Sequence, residues 1–143
     1  MEELIYSDVV CNVVGVSNDF DDVGTALAEL FVNAASGMYE LVADISKVAP
    51  GESIAVKIEA DDRDQLLRNW LSELLYYFNG KDMLLCEFKI NKIDDKYISS
   101  EAKGEKIDPK KHTLRHEIKA VTFHRLHIEK NRSLFNTEII FDA

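Results

Sequence analysis

Between Asp62 and Gly80 the chain reads Asp62-Arg-Asp-Gln-Leu-Leu-Arg-Asn-Trp-Leu-Ser-Glu-Leu-Leu-Tyr-Tyr-Phe-Asn-Gly80, and this stretch decides the fold class. Leu66, Leu67, Trp70, Leu71, Leu74, Leu75 and Phe78 recur at helical spacing and make one broad apolar face. Asp62 with Gln65 three residues on is a capping-box arrangement, and Asn79-Gly80 reads as the helix end, with glycine in a left-handed turn. Such a face needs a layer to cover it, and the flanking sequence offers strands. Upstream, Pro50-Gly51 marks a turn and Ile54, Val56 and Ile58 alternate with polar residues. Downstream, Leu84, Cys86, Phe88 and Ile90 alternate, Asp94-Asp95 turns the chain, and Tyr97 to Lys103 runs back.

Further out the same logic holds. Val9 to Ser17 is β-branched and apolar, a buried strand. Asp19 to Asp22 offers caps for a helix whose stripe is Val23, Leu27, Leu30, Phe31, Ala34, Ala35, Met38 and Leu41. Lys106 to His112, with its Asp-Pro, is a loop, and the stretches Ile118 to Glu129 and Leu134 to Phe141 form a hairpin about Lys130-Asn-Arg-Ser133. The order is β-α-β-α followed by four mostly antiparallel strands. That is an α+β fold, with two helices packed on the sheet, over one domain spanning 1–143.

Composition narrows the function. A chain of 143 residues, 46% hydrophobic and 30% charged, has enough apolar material for a proper core. No run approaches the eighteen or so apolar residues of a membrane span, and the start lacks a basic leader, so a cytoplasmic protein without membrane contact is expected. The net charge of −9 argues against gripping nucleic acid alone, because that affinity comes from neutralising phosphates. An acidic protein can still serve nucleic-acid chemistry by docking on a basic enzyme. Cys11 and Cys86 form no CxxC pair and read as buried, reduced thiols.

Chemistry-bearing residues are few. His112 and His116 have the i, i+4 spacing of a zinc pair, but Asp108-Pro109 and the strand pattern oppose a helix there. On a strand, His124 would share a face with Ile118, Ala120, Thr122, Leu126 and Ile128, as a half-buried structural histidine. The acidic clusters at 19–22, 61–64 and 94–95 match no EF-hand spacing and read as caps and solvated turns. Asp142 differs: with the carboxylate of Ala143 it offers two adjacent anionic oxygen donors, which suits a hard cation if a third comes from elsewhere. No nucleophile elbow, phosphate loop or dinucleotide fingerprint is present.

Several runs, taken in order, carry a family pattern. They are Phe31-Val-Asn-Ala-Ala-Ser-Gly-Met38, Leu66-Leu-Arg-Asn-Trp-Leu-Ser-Glu-Leu-Leu-Tyr76, Ala102-Lys-Gly-Glu105, Asp108 through His112, Glu117-Ile-Lys-Ala-Val-Thr-Phe-His124 and Ile140-Phe-Asp-Ala143. With these the chain resembles archease over about residues 25–143. That family assists the GTP-dependent tRNA-splicing ligase, promoting its guanylylation and turnover, as a protein cofactor and not as an enzyme.

The resemblance also implies a calcium site, made by the aspartate of an N-terminal histidine-threonine-alanine-aspartate motif, the C-terminal aspartate and the last residue. Asp142 and Ala143 supply the second half. The first half departs from the motif. If Asp8-Val-Val-Cys-Asn12 occupies it, Asn12 stands at the metal position; if Val16-Ser-Asn-Asp19 does, Asp19 stands there. The first alignment is preferred, because it keeps a strand after the motif; an asparagine carbonyl binds calcium without adding charge, so affinity falls. Lys119 and His124 are the expected contacts to a partner or phosphate. Two other functions compete: a diverged interaction module that no longer activates a ligase, and a stand-alone metal-dependent hydrolase.

Overall fold

The computed structural model describes residues 8–16, 23–132 and 134–143. Two helices and seven strands appear among them: β1 (Val9–Val16), α1 (Val23–Val42), β2 (Glu52–Glu59), α2 (Arg63–Lys81), β3 (Met83–Ile93), β4 (Tyr97–Lys106), β5 (Ala120–Val121), β6 (Glu129–Asn131) and β7 (Leu134–Asp142). The α+β class expected from the sequence is the one found.

The strands divide into two antiparallel sheets. One has the order β1-β7-β5, with β6 also on β7; the other has the order β2-β4-β3. The helices bridge them. α1 packs on β1 and β7 of the first sheet and on β3 of the second, while α2 packs on β2, β3, β4 and β5. A stripe facing two layers must be wide, and in both helices it is. Leu27, Leu30, Phe31, Ala34, Ala35, Met38, Tyr39 and Val42 of α1 are buried, as are all seven apolar residues read from α2.

Polar groups inside this core are matched. Trp70 Nε1 donates to Ser100 Oγ at 2.9 Å, and that hydroxyl donates to the carbonyl of Val56 at 2.9 Å, tying α2 to β4 and β2. The Trp70 ring lies 5.5 Å from that of Phe31. Tyr39 donates its hydroxyl to the carbonyl of Leu74, joining the helices. Burial of an unmatched indole N–H would cost roughly 1–3 kcal/mol, so Ser100 belongs to the core as much as Trp70 does.

Three expectations need correction. α2 begins where its cap indicates, with Asp62 accepting from the Gln65 N–H, but it passes through Gly80 and ends at Asp82, which takes the left-handed conformation at φ 54°. Gly80 serves packing instead: a Cβ there would lie 2.4 Å from the Tyr76 ring. The strand expected from Ile118 to Glu129 is broken. Only Ala120–Val121 and Glu129–Asn131 pair with β7, and between them the chain turns through Arg125, at φ 58°. The residues assigned to one face therefore do not share one. Cys11 and Cys86 are free thiols, half-buried where full burial was expected, and that burial pushes both above the usual thiol range.

Candidate functional site

The β1–β7 register decides what meets Asp142. Val9 pairs with Phe141 and Asn12 with Glu138. Asn12 is thus four residues back along the sheet from the level of Asp142, about 13 Å at strand rise. It leaves the expected ligand set for that reason. Asp19 lies outside the described residues. Asp8 directly precedes Val9 and Asp142 directly follows Phe141, so both aspartates lie at the end of the β1–β7 pair that Val9 and Phe141 close. Asp142 is half-buried and follows Ile139, Ile140 and Phe141, all three fully buried. On the far side of β7, Ala120 pairs with Asp142, and the Lys119 N–H donates to the Asp142 carbonyl at 2.6 Å.

Carboxylates at the same end of adjacent strands repel to the extent that neighbouring positive charge or hydrogen bonds do not offset them. With the main-chain oxygen of Ala143 they make a hard, all-oxygen donor set, the chemistry that calcium prefers. Two aspartates and a main-chain oxygen are the donor types that such an ion takes. Among the described residues, no group of three or more His, Cys, Asp or Glu converges to hold a metal; the fit rests on the two carboxylates and a main-chain oxygen.

His124 stands where the chain leaves the sheet. Thr122 donates its N–H and its hydroxyl to the carbonyl of Ile140, at 3.1 and 2.9 Å, and accepts the His124 N–H at 3.2 Å. His124 is half-buried and Lys119 exposed. Phe123 beside them is among the most exposed large apolar residues described, with the Arg68 guanidinium 4.7 Å from its ring centre. Residues 117–124 are thus carried to the same edge as Asp142, which brings two of the family runs together.

Two more runs meet elsewhere. His112 is buried; its Nδ1 accepts the Asp108 N–H at 2.9 Å, leaving Nε2 to donate to Glu105 Oε2 at 3.1 Å. That oxygen also accepts from the Ala49 N–H and from Lys111 Nζ, each at 2.6 Å. The Ala49 N–H and the Lys111 ammonium, with the His112 ring, pull the Glu105 carboxyl down to about 2. His116 is exposed and apart, so the zinc spacing places no pair. This cluster holds the loop after β4 to the residues before β2; it is structural.

What the fold and edge define is a two-sheet α+β domain whose β1–β7 edge carries acidic residues. Among the described residues, no helix is long and apolar enough to cross a membrane.

Comparison with known proteins gives the family. The model of the Archease protein family (MTH1598/TM1083) matches residues 19–143, and the chain belongs to that family. It is 40% identical over 121 residues to "Protein archease" of Sulfurisphaera tokodaii, covering 83% of this chain and 86% of the relative. It is 39% identical over 123 residues to that of Methanothermobacter thermautotrophicus, with coverage of 83% and 86%. The solution structure of Methanobacterium thermoautotrophicum protein 1598 superposes with a TM-score of 0.74 at 32% identity, covering 99% of this chain and 96% of that one. The crystal structure of an archease, described as a possible chaperone, from Thermotoga maritima matches with a TM-score of 0.65, covering 100% and 98%. At 17% identity it bears on the fold alone.

Asp8 is the acidic residue at this edge that sequence reasoning passed over.

Proposed function

We propose that this protein activates the GTP-dependent tRNA-splicing ligase, promoting guanylylation and repeated turnover while the ligase keeps the chemistry. Family membership carries the reading, supported by the acidic charge of −9, which suits docking on a basic, RNA-binding enzyme. The edge of β1 and β7 is the surface turned to the ligase, with Lys119 and His124 as contacts. Asp8, Asp142 and the main-chain oxygen of Ala143 would hold a calcium ion there, which relieves the repulsion between the two carboxylates and fixes the strand ends. Asp8 takes the place first given to Asn12, so the donor set keeps two negative charges.

The test is ligation of a splicing-type RNA by limiting ligase, with and without this protein. Several products per ligase only in its presence is the expected result. One product per ligase under both conditions would overturn the reading in favour of an interaction module without activation. Metal-dependent nucleotide hydrolysis by the protein alone would favour the hydrolase.

A further inference from the structure

Residues 122–128 form a strap between β5 and β6 that leaves the ladder of β7 and crosses the start of α2. Leu126 and Ile128 are its buried anchors. Its far end is held at one residue from two sides. The His127 carbonyl accepts the Thr137 hydroxyl at 3.0 Å, and the His127 ring meets Asp64, with Nδ1 3.0 Å from Oδ2. The other carboxylate oxygen of Asp64 accepts the Ile128 N–H at 2.8 Å. Asp64 lies in the first turn of α2, where an acidic residue already complements the helix dipole. Here both of its oxygens are also committed to the strap, through a contact that joins residues 63 positions apart.

We propose that Asp64 and His127 form a pH-sensitive clamp that fixes the 122–128 strap to the start of α2. Neutral His127 can keep the bond by donating from Nδ1, but the imidazolium adds a charge to it, and a charge-assisted bond is roughly twice as strong. The surroundings favour the charged ring. The approach to α2 and its first turn bring Asp61, Asp62 and Arg63 around a cleft of about 350 Å³, to which the β3–β4 turn adds Asp95 and Lys96. Arg63 is already paired with Asp95 at 2.7 Å. On the other side, β6 contributes Glu129 and β7 Glu138, with Arg125 of the strap facing Glu138 at 4.0 Å. Carboxylates thus outnumber unpaired cations around the ring.

The Asp64 hydrogen bond, then its charge and that of Glu129, hold His127 above its ordinary value against the opposing effect of desolvation. A group whose folded value is raised stabilises fully below the unfolded value, about 6.5, and loses that contribution as pH rises through the folded value. The clamp is therefore tight in mild acid and loosens toward alkaline pH. Because the strap also carries Phe123 and His124, loosening alters how the edge is presented; that consequence alone rests on the ligase reading, whereas the clamp needs no partner.

Nuclear magnetic resonance of the full chain tests it, following histidine Cε1–H and strap amide signals with pH, and amide exchange corrected for its intrinsic rate. His127 should titrate above a free histidine, with the Ile128 amide following the same midpoint. Asp64→Asn, which keeps an acceptor for Ile128 but removes the charge, should return the His127 midpoint toward 6.5. Strap protection should fall across the transition by about tenfold for each pH unit by which that midpoint exceeds 6.5, and His127→Gln should flatten the profile. A His127 midpoint unmoved by Asp64→Asn would overturn the clamp. So would equal strap protection at both ends of the titration in the unmodified chain, a reading that stands even if Asp64→Asn does not fold.

Discussion

Glu105–His112 and Asp64–His127 are two carboxylate–imidazole pairs of nearly the same length, 3.1 and 3.0 Å, in opposite surroundings. The His112 side chain is 1% exposed and that of His127 69%. In the first pair the shift falls on the acid: Glu105 collects three donors and sits at about 2. In the second it falls on the base, because Asp64 and its neighbours favour the imidazolium. The same contact thus becomes a fixed brace where donors converge on the carboxylate and a titratable one where the ring faces water and negative charge.

The largest effect belongs to neither pair and sets the scale. Trp70→Ala should destabilise the protein by about 3–5 kcal/mol, because it empties the junction of both helices and leaves Ser100 without its donor. Denaturant unfolding measures this, and an unchanged midpoint would mean that the two sheets do not share one core.

His112→Ala should cost about 1–3 kcal/mol, since it empties a buried side-chain position and removes the partner of both the Asp108 N–H and Glu105. His127→Ala at neutral pH should leave the thermal midpoint nearly unchanged. Equal losses from the two would erase the distinction between brace and clamp.

The pairs should also fail at opposite ends of the pH scale. Glu105 has a depressed value, so its contribution is complete above about 4.5 and is lost as pH falls toward about 2. Glu105→Gln should remove that part of the acid limb of thermal stability. His127→Gln should leave the loss between about 4.5 and 2 alone. It should lower stability by the smallest change of all in mild acid, where the clamp is tight, and converge with the unmodified chain at alkaline pH. An acid limb identical in Glu105→Gln and the unmodified chain would contradict the assignment.

The elements legible in the sequence were those set by local rules. Asp62 and the spacing from Leu66 to Phe78 were enough for the start and buried face of α2, because capping and helical period act within a few residues. The break after Val121 was not legible. Ile118, Leu126 and Ile128 continue an apolar pattern, while the bonds that hold the strap off the sheet reach back to Asp64. Asn12 was misplaced for a related reason: matching letters to a motif ignores register, and register is fixed by pairing with a strand more than a hundred residues away. Gly80 looked like a terminator from its neighbour alone, whereas the Tyr76 ring that it accommodates lies one turn back.

Whether the β1–β7 edge serves ligase activation is read most directly from turnover of limiting ligase, in calcium, with unmodified protein, Asp8→Asn, Asp142→Ala and Asn12→Ala. Repeated turnover should survive Asn12→Ala and be lost with Asp8→Asn and Asp142→Ala, each shown to be folded by its thermal midpoint. Full stimulation by Asp8→Asn, or its loss in Asn12→Ala alone, would contradict the account.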